Sequence, residues 1–159
     1  MKTGQTTQPT LELAVQYAVK TENVPTRALL RKWALTALEQ DAGITLRLVN
    51  EAEGLALNRG YRGKACATNV LTFPLSGQPL LLGDIVLCVP VVEQEAAAQN
   101  LPPEAHYAHL VVHGILHLQG YDHETESDAE RMEAVEAHIL AKLGYPDPYL
   151  IEKGTTLHG

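Results

Sequence analysis

The segment from Glu104 to Leu118 constrains the fold of this 159-residue chain more than any other part of the sequence. Read at helical spacing, its apolar residues lie on nearly every side of a helix, among them Leu110, Val111 and Ile115. A helix that is apolar all round is buried at the centre of a domain rather than laid on its surface. The other predicted elements must therefore pack around this helix.

The remainder of the chain alternates between strand and helix patterns. Alternating or continuous apolar runs predict strands at residues 11–16, 44–49, 69–73 (closed by Pro74) and 85–89. Helical spacing predicts helices at residues 25–40, 51–59 and 91–100, and a last helix that begins at the capping box Ser127-x-x-Glu130 and ends at Gly144. We expect one α/β (α+β) domain over residues 1–159, a small mixed sheet of about four strands packed with about five helices. Residues 1–9 and 152–159 are expected to be loose ends.

Composition and charge exclude several classes of protein. The formal net charge is −7, which excludes a generally basic nucleic-acid coat, although not a local basic patch. No run reaches the ~18 apolar residues of a membrane span, and the N-terminus has no apolar signal-peptide core. Two cysteines, Cys66 and Cys88, are too few for a disulfide framework. These features predict a cytoplasmic protein with no membrane partner.

Charge is unevenly distributed along the chain. Residues 1–64 hold nine Lys and Arg against six Asp and Glu, whereas residues 65–159 hold three against thirteen. The densest basic stretch contains Arg59, Arg62 and Lys64 in a polar segment with glycines. Such a cluster can bind a phosphate, and it can also be a solvated loop.

Histidine is concentrated in one part of the chain, because five of the seven histidines lie between residues 106 and 123. His113 and His117 are four residues apart and so lie on one face of the central helix. Gly120 can adopt the positive φ that ends a helix and turns the chain, which would bring His123 toward the same point. Three imidazoles with an open fourth position are typical of a catalytic zinc site, although nickel, copper and iron also bind imidazole.

The spacing is similar to that of zinc peptidases, in which a glutamate follows the first histidine as general base. Here that position is Gly114, which argues against a peptidase. The alternative to a metal site is a set of hydrogen-bonded core imidazoles, the role that we expect for His106 and His109. Asp122 either orients an imidazole or stabilises a turn. Asp84 is either a buried partner or a strand-entry residue, and the structural role is favoured.

Several motifs together resemble the YbeY family of zinc-dependent endoribonucleases, also called ribosomal RNA maturation factors. The histidine motif with glycine in its second place is the specific part, and the other motifs support it. In chain order the motifs are Tyr61-Arg62-Gly63-Lys64, Thr68-Asn69-Val70-Leu71-Thr72-Phe73-Pro74, Leu82-Gly83-Asp84-Ile85, His113 to His123 and Leu143-Gly144-Tyr145. Together they span about residues 44–150.

The resemblance implies a zinc-dependent hydrolase that cleaves single-stranded RNA, in 16S rRNA 3′-end maturation and in ribosome quality control. It implies one zinc ion on His113, His117 and His123, and a catalytic centre that includes His113 and Arg62. The expected partners are small-subunit ribosomal RNA and ribosomal or assembly-factor proteins. In this reading the basic side chains that contact RNA are Arg59, Arg62 and Lys64.

One departure from the family pattern affects the basic segment. The family usually has Asp after Arg-Gly-Lys, whereas Ala65 follows here, so a role assigned to that Asp has no counterpart in this chain. Two other functions remain open at this point. One is a non-catalytic ribosome-assembly factor with a structural zinc, and the other is a zinc peptidase or amidase, which Gly114 disfavours.

Overall fold

The computed structural model describes residues 8–62, 68–77 and 79–149. In chain order the elements are β1 (Leu11–Tyr17), α1 (Arg27–Ala37), β2 (Ala42–Val49), α2 (Glu51–Arg62), β3 (Val70–Ser76), β4 (Leu81–Cys88), α3 (Val89–Ala98), α4 (Pro103–Leu118) and α5 (Glu126–Leu143). The predicted α/β fold is confirmed. The predicted loose ends lie outside the described residues, apart from residues 8 and 9. None of the helices described here is long and apolar enough to cross a bilayer.

The strands form one sheet in the order β1-β2-β4-β3. β1, β2 and β4 are parallel, and β3 runs antiparallel to β4. Parallel neighbours need a crossover connection, and α1 supplies it between β1 and β2. The sheet is therefore mixed, as predicted, with β1 and β3 at its two edges.

On both edge strands, some of the backbone groups that could pair with another strand are blocked or missing. On β1, Arg27 and Arg31 of α1 donate hydrogen bonds to the carbonyl oxygens of Val15 and Leu11, at 2.7 and 3.0 Å. On β3, Pro74 lies inside the strand, and the pairing with β4 becomes irregular directly after it. The expectation that Pro74 closes the strand is wrong, because an edge strand tolerates proline where its missing N–H need not pair.

Two further predicted boundaries are corrected by the structure. β4 begins at Leu81 rather than at residue 85, because it pairs along the whole length of β2. α5 begins after Thr125, whose side-chain oxygen accepts a hydrogen bond from the backbone N–H of Asp128 at 3.0 Å. The predicted capping box at Ser127 therefore lies inside the first turn. The helix ends as predicted at Gly144, which has a φ of 92°.

α4 is the central helix of the fold. Between Ala105 and Leu118 every residue is buried except His109, His113 and His117. These three residues are four apart, so they form one line along the helix. The sheet strands β3 and β4 and the helices α1, α3 and α5 pack around the other sides. The predicted buried helix is confirmed, and its one half-exposed line consists of histidines.

Gly114 allows α4 to lie directly on the sheet. A Cβ at this position would stand 3.1 Å from Cδ1 of Ile85 and 3.4 Å from Cγ2 of Thr72. Glycine inside a helix is less stable than alanine by about 1 kcal/mol, so the close packing has to offset this loss. The position where a zinc peptidase carries its glutamate is therefore filled by the sheet.

Replacing Gly114 with Glu is expected to destabilise the fold without creating a peptidase. The new side chain would be driven against Ile85 and Thr72, and overpacking plus an unpaired buried carboxylate should cost about 3 kcal/mol or more. Urea unfolding measures the change, with Gly114→Ala as a control expected within about 1 kcal/mol of wild type. A Gly114→Glu protein that unfolds at the wild-type urea concentration would contradict this packing.

Candidate metal centre

α4 and the turn after it bring His113, His117 and His123 together. The rings of His113 and His117 are stacked, with an interplanar angle of 6° and 6.2 Å between their centroids. The chain turns at Gly120, which has a φ of 102°. The ring of His123 then lies 5.8 Å from that of His113 and 6.2 Å from that of His117. The three predicted ligands form a nearly equilateral triangle of imidazoles, called the histidine triangle below.

The histidine triangle faces solvent. The side chain of His113 is 25% exposed, His117 is half-buried and His123 is exposed. Within the described ranges, no group of three or more His, Cys, Asp or Glu residues is in an arrangement that could hold a metal ion as it stands. Whether a metal fits these residues depends on the chemistry of the donors and on the ring nitrogen that keeps a lone pair.

Hydrogen bonds at Nδ1 determine which ring nitrogen of His113 and of His117 keeps a lone pair. Nδ1 of His117 donates to the backbone carbonyl oxygen of Tyr121 at 3.0 Å, and Nδ1 of His113 lies 2.7 Å from Oε2 of Glu136. Carbonyl and carboxylate oxygens only accept, so Nδ1 carries the proton and Nε2 of the neutral ring keeps its lone pair. Metal-binding histidines usually have this arrangement. The donor chemistry of His113 and His117 therefore fits a metal such as zinc.

Glu136 of α5 is a fully buried carboxylate, with 0% of its surface exposed. Its Oε2 accepts from His113, and its Oε1 accepts from the Tyr149 hydroxyl and from Nε2 of His109 at 3.0 Å. Burial alone raises the pKa of the Glu136 carboxyl, but the hydrogen bonds that it accepts from His109 and His113 lower that pKa to about 2. The carboxylate is therefore ionised at neutral pH.

Glu136 is not among the predicted site residues, although the sequence contains a signal for it. The buried residues of α5 are Met132, Glu136, Ile139 and Leu140, so a charged residue falls on the apolar stripe of the helix. Glutamate is almost never fully buried unless it is paired. A glutamate on an apolar stripe therefore predicts a buried partner, here His113.

His106 and His109 are committed to contacts within the protein. Nε2 of His106, which is buried, lies 2.8 Å from Oε1 of Glu95. Nε2 of His109 contacts Glu136 and, at 3.1 Å, the Tyr149 hydroxyl. Both imidazoles are therefore hydrogen-bonded, as expected. His106 lies in the core, whereas His109 is half-exposed, so the expectation of a core position is wrong for His109.

The sequence also pointed to Asp122 and Asp84, which lie in a turn and in a strand. Oδ1 of Asp122 accepts from the backbone N–H of Glu124 at 3.2 Å, so this residue stabilises the turn, and the Tyr121 carbonyl orients the imidazole instead. Asp84 is half-buried in the middle of β4, in register with Thr45 of β2. The strand-entry reading of Asp84 is wrong, because the strand begins earlier, at Leu81.

The basic segment is described only in part. Arg59 is exposed on α2. Arg62 is the last residue of α2, but its side chain and the whole of Lys64 lie outside the described residues. The roles predicted for Arg62 and Lys64 therefore stay predictions.

Comparison with known proteins identifies the family. The family model of endoribonuclease YbeY matches residues 12–144. This chain belongs to the endoribonuclease YbeY family. Its curated relatives include endoribonuclease YbeY of Methylobacillus flagellatus, 58% identical over 145 residues that cover 91% of this chain and 97% of the relative. Endoribonuclease YbeY of Aromatoleum aromaticum is 59% identical over 148 residues, which cover 91% and 96% of the two chains.

A solved structure supports the fold. The solution structure of TM1509 from Thermotoga maritima is 28% identical, with a TM-score of 0.56 over 82% of this chain and 91% of that one. The family match and the curated relatives confirm the resemblance inferred from the motifs. The relatives are named as endoribonucleases, so the chain belongs to a family of hydrolases that act on RNA.

Gly120→Ala is expected to weaken metal binding as well as stability. Gly120 and Gly144 both have left-handed φ values, 102° and 92°, and a Cβ at either would meet no atom within 4 Å. Backbone strain alone should therefore lower the free energy of unfolding by about 1 kcal/mol in each alanine variant. Only Gly120→Ala shifts the turn that carries His123, so only this variant should lose zinc affinity, by roughly tenfold, or ~1.4 kcal/mol.

Urea unfolding and competition for zinc with a chromophoric chelator measure these two effects. Gly144→Ala is the matched control, because it strains a helix end of the same kind away from the histidine triangle. Equal zinc affinities for the two variants would show that the Gly120 turn does not position His123.

Proposed function

We propose that this chain is a zinc-dependent endoribonuclease specific for single-stranded RNA, acting in the cytoplasm in 16S rRNA 3′-end maturation and ribosome quality control. The observation that carries the proposal is the histidine triangle. His113 and His117 lie on the one half-exposed line of a buried helix, and His123 joins them from the turn that follows. Two of its rings have Nδ1 committed to an acceptor and Nε2 left with a lone pair. Membership of the endoribonuclease YbeY family supports the reaction class.

One zinc ion per chain would be held by His113, His117 and His123. When bound, zinc would lower the pKa of a water molecule toward about 7 and polarise a phosphoryl oxygen. Three protein ligands leave a position open, which is typical of catalytic rather than structural zinc sites. The exposed position of His123 supports access from solvent to that position. The donor set therefore favours an enzyme over a non-catalytic assembly factor with a structural zinc.

The basic segment would bind the substrate. Arg62 would hold the scissile phosphate through two parallel N–H groups and neutralise charge that develops in the transition state. Arg59, exposed on α2, and Lys64 would guide the RNA backbone. Residues 65–159 are strongly acidic, with thirteen Asp and Glu, and affinity for nucleic acid depends on neutralised phosphates. We therefore expect weak affinity for free RNA, with help from ribosomal or assembly-factor proteins.

The packing at Gly114 argues against a peptidase or amidase. Such an enzyme would need a carboxylate base on α4 next to His113, but position 114 is filled by Ile85 and Thr72. RNA cleavage does not need that carboxylate, because the RNA 2′-hydroxyl or a water molecule can serve as the nucleophile. Incubation with casein, which the zinc-loaded protein should leave intact, separates the two activities.

His117→Ala is expected to remove both the metal and the activity. Plasma mass spectrometry on untagged protein should find about one zinc per chain in the wild type and a loss of it in the variant, because one of three ligands is missing. The control is His138→Ala, since His138 is exposed on α5 and should keep both zinc and RNA cleavage. A folded wild type that takes up no zinc even when it is supplied would contradict the metal centre.

Arg62→Ala is expected to separate metal binding from catalysis. The variant should keep its zinc but cleave single-stranded RNA roughly 10²- to 10³-fold more slowly, the usual effect of removing one group that stabilises transition-state charge. Lys32→Ala, at an exposed position of α1, controls for the loss of a positive charge. If a folded Arg62→Ala protein cleaved RNA at the wild-type rate, the role of Arg62 would be wrong.

The zinc-loaded Arg62→Ala protein, with RNA cleavage roughly 10²- to 10³-fold slower, also tests the assembly-factor alternative. Cells in which this variant replaces the wild type should accumulate unprocessed 16S rRNA ends if the chain acts as a nuclease. Full restoration of ribosome maturation by a variant whose RNA cleavage is this slow would favour the non-catalytic role instead.

A further inference from the structure

Glu136 joins three donors from two parts of the chain at one buried carboxylate. Among the described residues, Oε2 faces one donor, Nδ1 of His113, at 2.7 Å. Oε1 faces two donors, the Tyr149 hydroxyl and Nε2 of His109. The two oxygens therefore have different tasks: Oε1 is held by α4 and by the segment after α5, while Oε2 is left to His113.

The position of Tyr149 explains how the carboxylate is kept in this orientation. The backbone N–H of Tyr149 donates to Oδ1 of Asp147 at 2.8 Å, which forms a tight local turn. The Tyr149 ring meets the His109 ring edge to face, with 5.4 Å between centroids. Tyr149 and His109 thus fix Oε1 of Glu136 from two sides, which points Oε2 toward His113.

We propose that Glu136 is a positioning residue of the metal centre: it holds His113 in the Nδ1–H tautomer and so presents the Nε2 lone pair within the histidine triangle. The consequence for metal binding rests on the proposed function, but the tautomer is a property of the chain without metal. His117 needs no such side chain, because a backbone carbonyl, that of Tyr121, accepts from its Nδ1. α5 therefore contributes to the centre without supplying a ligand.

Glu136→Gln tests this role because glutamine keeps the shape but replaces one acceptor oxygen by an NH₂ group. Two donors meet at Oε1, so the amide oxygen is expected to stay there and the NH₂ group to face Nδ1 of His113. A donor opposite Nδ1 requires a lone pair on Nδ1, so the proton moves to Nε2. His113 would then present an N–H instead of a lone pair, an inversion of the kind that disables catalytic histidines.

Glu95→Gln is the matched control, because Glu95 of α3 also contacts a histidine of the central helix α4. Oε1 of Glu95 lies 2.8 Å from Nε2 of His106 and accepts from Nδ2 of Asn69 at 2.9 Å. The substitution therefore removes the charge from a second carboxylate–histidine contact of α4, while the amide oxygen stays with the two donors. His106 is not part of the histidine triangle. A general loss of packing or stability should affect both variants, whereas a change at His113 should affect only Glu136→Gln.

The experiment uses the full chain, first without metal and then with zinc. Long-range ¹H–¹⁵N correlation spectra of the metal-free protein report the tautomer of each imidazole, and competition with a chromophoric chelator reports zinc affinity. The wild type and Glu95→Gln should show His113 as Nδ1–H, and Glu136→Gln should show it as Nε2–H. Zinc affinity should fall about 10- to 100-fold in Glu136→Gln and by no more than about twofold in Glu95→Gln.

Each outcome decides the proposal. It is overturned if the metal-free wild type shows His113 as Nε2–H, or if Glu136→Gln keeps both the wild-type tautomer and the zinc affinity of Glu95→Gln. If Glu136→Gln does not fold, Glu136→Asp is used instead, since it retains the carboxylate and should keep the Nδ1–H form. A folded Glu136→Asp protein with the Nε2–H form would overturn the proposal.

Failure of the proposed function gives a different pattern. A wild type that shows the Nδ1–H tautomer and the expected inversion in Glu136→Gln, and that binds zinc but cleaves no RNA, would contradict the nuclease and leave the positioning role intact. Normal RNA cleavage and zinc uptake by Glu136→Gln, with an unchanged tautomer, would contradict the positioning role and leave the nuclease intact.

Discussion

The direct packing of α4 on the sheet at Gly114 is the contact on which the rest of the structure depends. Because Ile85 and Thr72 fill the space that a side chain would occupy, the helix lies deep enough for strands and other helices to enclose it. One line of the helix remains half-exposed, and histidines occupy it. The place of the candidate metal centre is therefore determined by the packing of the core and not by a surface loop.

The candidate centre combines backbone and side-chain support from different elements. The turn at Gly120 brings the Tyr121 carbonyl to His117, so the sequence next to the ligand orients it. His113 instead depends on Glu136, whose charge is held in the core by hydrogen bonds from histidines. A buried charge without partners would be strongly unfavourable, so the same contacts that orient the imidazole also make the buried carboxylate tolerable.

The features that could be predicted from the sequence are those that depend on local spacing. The buried helix, the convergence of His113, His117 and His123 and the turn at Gly120 all follow from helical periodicity and from the freedom of glycine. Glu136 could not be placed by spacing, because only the packing of α5 on α4 brings it to His113.

The wrong predictions at boundaries have the same origin. Thr125 and Ser127 are both good N-cap residues. Thr125 is the N-cap because its backbone is extended there, and no local sequence pattern shows this. Pro74 was expected to end a strand because proline interrupts a ladder, but β3 lies at the edge of the sheet. Whether a strand is central or at an edge depends on the order of the strands, and that order is a property of the whole domain.

The treatment of the sheet edges has a consequence for how copies of this chain behave together. An open edge strand is a template on which another molecule can add its own strand, and this is a common route to aggregation. Here the guanidinium groups of Arg27 and Arg31 occupy carbonyl oxygens of β1, and Pro74 removes a donor from β3. Both edges of the sheet are thus poor templates. Copies of this chain should therefore stay separate, without edge-to-edge pairing, even when many of them are present in one compartment.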